Sequence, residues 1–265
     1  MIDEGTLLGL SGRFSDQRQL EKDYLLTLLL REIYSIFSND LIFKGGTSLK
    51  YFYNLNRFSE DLDFSYTGQY GADGRRLLYH KLNSALDSLS LQYEVIEREH
   101  RGNKFEGRVI GVNFEARVRG PLNRKLGRLQ NIKLDISTRQ DVMSNPDTKY
   151  LLPIYPDIAT FTVPVMSIEE IAAEKIASIF ERDKLRDIYD VYFLLIVRGL
   201  GYNESMVAEK MSRRKEIFDK EKLLGKINGA LDRMKWRSEL FYLVNPLPDS
   251  KVVVESLERA LNHQQ

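Results

Sequence analysis

The sequence predicts an α+β protein: a mixed sheet with helices, followed by a mostly helical C-terminal domain. Three observations carry this. Segments of helical and strand period are interleaved over roughly the first 90 residues, three strand candidates then follow with no helix between them, and from Ser167 onward the pattern is almost wholly helical. Pro153, Pro156 and Pro164 mark a connecting region, which places a boundary near Pro164 and divides the chain into domains 1–164 and 165–265.

Each element has its own signal. Asp16-x-x-Gln19 reads as an N-cap with its capping-box partner. Leu20, Tyr24, Leu25, Leu28 and Leu29 follow at helical spacing, so a helix is expected to about Phe37, where Ser38-Asn39-Asp40 is a turn signal. Leu41-Ile42-Phe43 is a short apolar run, the pattern of a buried strand; Gly45-Gly46 breaks it, and Thr47 to Tyr53 reads as the next helix. Asp61 to Tyr66 alternates polar and apolar residues, a strand by its period of two. Leu78, Leu82, Leu86 and Leu89 share one face of a helix over about Arg75 to Leu89, and Tyr93 to Arg98, Val109 to Arg117 and Ile132 to Ser137 are the three strand candidates. Ser167-x-x-Glu170 is a second capping box, after which Ile168, Ile171, Ala172, Lys175, Ile176 and Ile179 continue helically, with Gly199-x-Gly201 as a later break.

Composition narrows the class of function. With 43% hydrophobic and 29% charged residues the chain is an ordinary globular protein, and 265 residues suit one large domain or two small ones. It has no cysteine, so disulfides, thiolate catalysis and zinc–sulfur sites are excluded and a reducing cytoplasm fits. No run of about 18 apolar residues occurs, so neither a transmembrane helix nor a membrane partner is expected. Met1 to Gly12 lacks the pattern of a signal peptide. His80, His100 and His263 are scattered, which argues against a histidine-based dyad. The net charge of +1 leaves nucleic-acid binding to local patches.

Asp61 and Asp63 lie two apart on a strand, so both point to one face while Leu62 and Phe64 point into the core. Two carboxylates about 5 Å apart repel by roughly 3 kcal/mol at an effective dielectric near 20. A bound Mg²⁺ reverses that cost, because hard cations take carboxylate oxygens; the alternative is a solvated Asp-x-Asp face on an edge strand. Upstream, Lys44-Gly45-Gly46-Thr47-Ser48 stands between strand and helix. Glycines there let backbone N–H groups approach a phosphate at a helix N-terminus, and Thr47 and Ser48 add hydroxyl donors. The competing reading is a plain strand-to-helix turn. No Gly-Lys-Ser/Thr ends the loop, so it departs from the P-loop pattern.

Gly45-Gly46-Thr47, thirteen residues, then Asp61-Leu62-Asp63 resembles the signature of the DNA polymerase β-like nucleotidyltransferases. The fuller strings, Lys44 to Leu49 and Arg57-Phe58-Ser59-Glu60-Asp61-Leu62-Asp63-Phe64, are similar to one branch, the AbiEii/AbiGii abortive-infection toxins, which include the MenT-type toxins of bacterial toxin–antitoxin systems. A second match lies in Ala173-Glu174-Lys175 and Arg186-Asp187-Ile188-Tyr189-Asp190, and the resemblance spans roughly Leu41 to Leu195. It implies the polymerase β-like fold and a Mg²⁺- or Mn²⁺-dependent transfer of a nucleoside monophosphate from a nucleoside triphosphate, with the site between the two domains. It further implies an RNA acceptor, the 3′ end of tRNA foremost, together with growth inhibition and a separately encoded antitoxin. Within it, Asp61, Asp63 and a third carboxylate, Asp135 on the Ile132 to Ser137 strand, are the expected metal ligands. Asp135 is otherwise a surface residue paired with Lys133 or Arg139. Lys44 to Ser48, Ser59 and Arg182 are expected at the nucleotide. Lys175 meets its phosphates as a point charge, and Asp187 orients that lysine or positions the acceptor. An ordinary interhelical salt-bridge cluster is the alternative for Arg186, Asp187 and Asp190.

From Arg98 to Arg139 there are eleven basic and four acidic residues. The core of this stretch, with Arg119, Arg124, Lys125 and Arg128, has no acid and is the candidate RNA contact, or else a solvated loop. Two rival functions stay open: nucleotidyl transfer to a protein or small molecule, and a catalytically silent binding protein on the same fold.

Overall fold

The computed structural model describes residues 1–101 and 107–262. Lys104 of the basic stretch and His263 lie outside them. The chain forms two compact units, one of residues 1–52, 59–142 and 146–165, the other of residues 53–58, 143–145 and 166–265.

The first unit opens with a short helix α1 (Glu4–Leu8) and the long α2 (Gln17–Ile36). There follow β1 (Leu41–Lys44), α3 (Gly45–Tyr53), β2 (Asp61–Tyr66), α4 (Ala72–Ser88), β3 (Tyr93–Arg101), β4 (Val109–Val118), a single turn α5 (Asn123–Leu126), β5 (Gln130–Ser137), β6 (Asp147–Leu151) and β7 (Phe161–Val165). Among the described residues these strands make one seven-stranded mixed sheet of order β3-β4-β5-β2-β1-β7-β6. β2 runs antiparallel to β1 and parallel to β5, the pairing that positions the candidate site. Alternation sends Leu62, Phe64, Phe114, Leu134 and Ile136 to one face, where each is almost fully buried. α2 packs on β2, β5 and β7 and on α4.

α2 is buried almost all round rather than along one stripe, from Leu20 to Leu30 with Lys22 as the partial exception. Its two buried acids are matched. Asp23 accepts from Lys50, Tyr51 and Tyr155. Glu21 accepts from the Leu122 backbone N–H and the Gln130 amide. Asp16 caps α2 through the Gln19 N–H as expected, but the Gln19 side chain turns to the Ser15 N–H.

The stretch between β5 and Ser167 is a correction to the sequence reading: it holds β6, just before the proline-marked connection, and β7, which begins within it. Pro164 lies inside β7, and prolines ordinarily argue against a strand. It is tolerated here because β7 meets β1 in register only at Phe43↔Val165. The run from Arg119 to Arg128 likewise contains α5, closed by Gly127 at φ 66°.

In the second unit, α6 (Ile168–Glu181) packs on α7 (Leu185–Tyr192), α8 (Glu204–Arg213) and α9 (Lys220–Asn228). α7 runs on into a π-helical turn at Phe193–Val197 and touches α10 (Arg233–Leu240) and α11 (Ser250–Asn262). Ser167 caps α6 by accepting the Glu170 N–H. The Glu170 carboxylate does not complete the box. It is wholly buried, accepts from the N–H groups of Met143 and Ser144, and holds the buried Lys210 ammonium at 2.6 Å.

Candidate active site

β1, β2 and β5 bring the sequence-marked residues of the first unit into one row. In register, Lys44 faces Asp63 across the antiparallel pair, and Asp63 faces Asp135 across the parallel pair. Asp61, one alternation earlier on β2, is in register with Lys133. Residues in register on neighbouring strands share a face, so Lys44, Asp63 and Asp135 form one ledge on the side opposite Leu62 and Phe64. Asp61, Asp63 and Asp135 are all partly exposed there, while Lys44 is buried.

Gly45 turns the chain from β1 into α3 with φ 75°. A methyl group on its α-carbon would overlap the Asp63 carboxylate. Both constraints demand glycine: the left-handed backbone, and a carboxylate lying against the turn. Gly46 is buried without a positive φ, so the special position is Gly45. The first N–H groups of α3 lack intrahelical acceptors and carry the positive end of the helix dipole.

The hydroxyls depart from expectation. Thr47 and Ser48 are wholly buried and turned inward. Thr47 donates to the Asp61 carbonyl and lies 2.9 Å from Ser59 Oγ, and Ser48 donates to the Gly45 carbonyl at 2.9 Å. These two residues brace the glycine turn against β2. The turn leaves its backbone to face an anion, and Ser59 is hydrogen-bonded to Thr47.

Lys22 carries no sequence signal for this site, yet its ammonium donates to the Asn131 carbonyl. Burial pushes its pKa down, while Asp61 and Glu60 pull it back up. A lysine on a leucine-rich helix looks like ordinary solvated surface in sequence.

The second unit gathers the residues of the other motif. Lys175 of α6 lies 3.2 Å from Asp187 Oδ1 and 2.7 Å from Asp190 Oδ2. Arg182, just past the end of α6, grips Asp187 through Nε and Nη2 at 2.8 and 3.0 Å. Arg57 forms a two-pronged pair with Asp190, at 2.6 and 2.7 Å. Both aspartates are wholly buried. Burial pushes the Asp187 carboxyl up, but Lys175 and Arg182 more than offset it and leave it below the ordinary value. Burial likewise opposes ionisation of Asp190, yet Arg57 and Lys175 hold its pKa down to about 2. Three cations meet two anions, and the Arg182 side chain is 46% exposed. Arg57 was part of a recognisable string, but its partner, 133 residues on, was not legible.

The acid-free run stands apart. Arg119, Arg124, Lys125 and Arg128 are all exposed on the connection between β4 and β5. Glu21 anchors its base through the Leu122 N–H, and a methyl group at Gly120 would overlap that glutamate.

The ledge supplies hard oxygen donors of the kind Mg²⁺ takes. Among the described residues, no three His, Cys, Asp or Glu side chains are gathered into a metal cage. Mg²⁺ ordinarily needs none, since it binds through one or two carboxylates plus substrate phosphates and water. The Asp63–Asp135 register and the Gly45 cradle fit that demand.

A mixed sheet with a glycine turn and paired carboxylates on adjoining strands is the framework of a nucleotidyltransferase. Residues 27–263 match the family model described as nucleotidyl transferase AbiEii toxin, type IV toxin–antitoxin system, and the chain belongs to that family. Its substrate is therefore a nucleoside triphosphate, and it is paired with an antitoxin. Enzymes of this kind generally use divalent metal ions. The fold resembles MenT4, a nucleotidyltransferase toxin of Mycobacterium tuberculosis, at TM-score 0.59 and 18% identity over 100% of this chain and 91% of that one. It also resembles JHP933 of Helicobacter pylori, at TM-score 0.53 and 20% identity over 93% and 91%. No curated protein matches the sequence. Among the described residues no helix is long and apolar enough to cross a membrane.

Proposed function

We propose that this toxin transfers a nucleoside monophosphate to RNA, with the 3′ end of tRNA as the acceptor, and that Asp61, Asp63 and Asp135 hold Mg²⁺ or Mn²⁺ for the reaction. The observation that carries this reading is the in-register Lys44–Asp63–Asp135 ledge beside the Gly45 turn. The divalent ion, when bound, neutralises phosphate charge and orients the reacting oxygens. The chain's own residues do the rest. Backbone N–H groups at the start of α3 receive the triphosphate, and the glycine turn lets it come close. Lys44 adds positive charge at the ledge. Lys175 and Arg182 serve the phosphates, with Asp187 as the residue that positions both cations. An acceptor hydroxyl attacks the α-phosphorus, the bond to the β-phosphate oxygen breaks, and pyrophosphate leaves. Arg119, Arg124, Lys125 and Arg128 hold the RNA backbone. The reaction belongs in the cytoplasm, where both substrates are, and its outcome is growth arrest of the abortive-infection type.

The test is a transfer assay with each of the four α-labelled nucleoside triphosphates, offered total RNA and total protein as acceptors. Label in RNA of tRNA size is the expected result. Label confined to protein or to small molecules overturns the RNA acceptor, and no label anywhere overturns the enzymatic reading.

A further inference from the structure

The basic stretch does not form one surface. Arg119 to Arg128 lie at one end of the β4–β5 pair, and Arg108 and Arg139 lie at the other. With Arg101 from the end of β3 and Arg75 near the start of α4, these two line a cavity of about 580 Å³, together with Tyr70 and Glu99. Register fixes which side of the sheet it occupies. Glu99, Val112, Ile136 and Phe64 are successive partners across β3, β4, β5 and β2, and so share the face covered by α4. Asp63 and Asp135 are on the opposite face.

Beside Arg108, the lining sets the guanidinium groups of Arg75, Arg101 and Arg139 against the carboxylate of Glu99. Glu99 lies 3.2 Å from Arg75 and 3.4 Å from Arg101, and it accepts the Tyr70 hydroxyl at 2.9 Å. The buried Nε–H of Arg139 has no acceptor among the described residues. A buried donor left unpaired costs about 1–3 kcal/mol, so an acceptor is wanted there. α4 also begins at this cavity, with Gly71 and Ala72 in the lining and no side-chain cap on its first turn.

We propose that this cavity is a second anion site, for a phosphate-bearing small molecule of nucleotide size, separate from the catalytic face. Guanidinium forks match phosphate oxygens in pairs, and the volume falls within the ordinary range for small-ligand sites. A bound phosphate supplies the acceptor that Arg139 Nε lacks, and its negative charge faces the guanidinium groups of the lining. A concave arginine-lined space suits a compact polyanion; a polynucleotide backbone is better met by the exposed connection at the far end of the strands.

The experiment is calorimetric titration of the full-length protein with inorganic tripolyphosphate, and with α,β-methylene-ATP, in buffer containing EDTA. Wild type is expected to show saturable binding. Arg101→Gln/Arg139→Gln should weaken it about tenfold or more, as for lost charge-assisted hydrogen bonds. Glu99→Gln removes the competing carboxylate and should tighten binding about threefold, a gain that a misfolded variant cannot mimic. Equal affinity for the two probes identifies phosphate alone as the recognised group, and tighter binding of the nucleotide identifies a nucleotide; either upholds the site. Absence of saturable binding at millimolar probe overturns it, as does an arginine variant that binds like wild type, or Glu99→Gln without effect.

Discussion

Asp61 and Asp63 stand partly exposed on β2, whereas Asp187 and Asp190 are wholly buried on α7 and gripped by Arg57, Lys175 and Arg182. Both pairs come from short acidic motifs, and the difference between them is access. Charges in the second pair are already compensated by protein cations at 2.6–3.2 Å. Those on the first lie partly exposed on β2. Loss of a reachable carboxylate should therefore act first on chemistry, and loss of an enclosed one first on stability. The two kinds of variant ought to separate cleanly.

The sharpest separation comes from Asp190. Asp190→Ala leaves Arg57 and Lys175 without their shared buried partner, and removing one side of such a cluster costs about 3–5 kcal/mol. Urea unfolding should show that loss. A midpoint like that of wild type would mean that the buried pair does not hold its unit together. Asp63→Ala is expected to do the reverse. Transfer should fall by about 100-fold or more, as when charge stabilisation in the transition state is lost, with a smaller loss of stability than Asp190→Ala, because Asp63 is partly exposed. Wild-type transfer by a folded Asp63→Ala protein would take the reaction away from this ledge.

Acid makes the same division. The folded Asp190 pKa, about 2, lies below the ordinary 3.8. Its stabilising contribution is thus complete above about pH 4 and disappears as pH falls through the folded value. The gap corresponds to about 2 kcal/mol, at 1.36 kcal/mol per pKa unit. Asp187 shifts in the same direction. The stability difference between wild type and Asp190→Asn should therefore shrink as the pH is lowered from 5 to 2. A constant difference over that range would show that Asp190 is not held ionised by its neighbours.

A smaller effect is expected at Gly45. Gly45→Ala must adopt φ 75°, which costs an L-residue about 1–2 kcal/mol, and must displace the Asp63 carboxylate. Both stability and transfer should fall, while Gly46→Ala, at a residue without positive φ, lacks that backbone penalty. Equal behaviour of the two alanine variants would remove the special role of Gly45.

How much of this was legible in the sequence depends on the range of the interaction. β2 could be read because its alternation is local, and the Asp-x-Asp face followed from it. The ledge was only half legible. Asp135 could be suspected from its own strand, but its register with Asp63 is a pairing across more than seventy residues. β7 escaped notice because Pro164 masks a strand whose partners, β1 and β6, supply the evidence for it. Thr47 and Ser48 looked like phosphate donors because hydroxyls beside glycines usually face solvent, and only the packing of α3 on β2 turns them inward. Glu170 looked like half of a capping box, and Lys210, forty residues away, claims it instead. In each case the local pattern identified the residue, and a distant partner decided its use.

The smallest effect tests reachable charge without metal. Arg119, Arg124, Lys125 and Arg128 are exposed on a connection whose base is pinned by buried Glu21. Burial pushes the Glu21 carboxyl up, while its bonds to Gln130 and Leu122 pull it back down. The four cations are thus displayed on an anchored turn, and among the described residues no ion pair ties up Arg124, Lys125 or Arg128. If they hold an RNA backbone, each phosphate they neutralise releases counterions, so affinity must fall with salt. Replacing Arg124, Lys125 and Arg128 together with Ser should flatten the dependence of log affinity on log salt by about two to three units, close to one per lost contact. Binding should weaken evenly across RNA sequences, because phosphate contacts position a ligand without reading it. Nucleotide affinity and the unfolding midpoint should both stay at wild-type values, since no buried partner is disturbed. The measurement is RNA affinity of the two proteins over a salt series, and matching slopes would take this connection out of the RNA site.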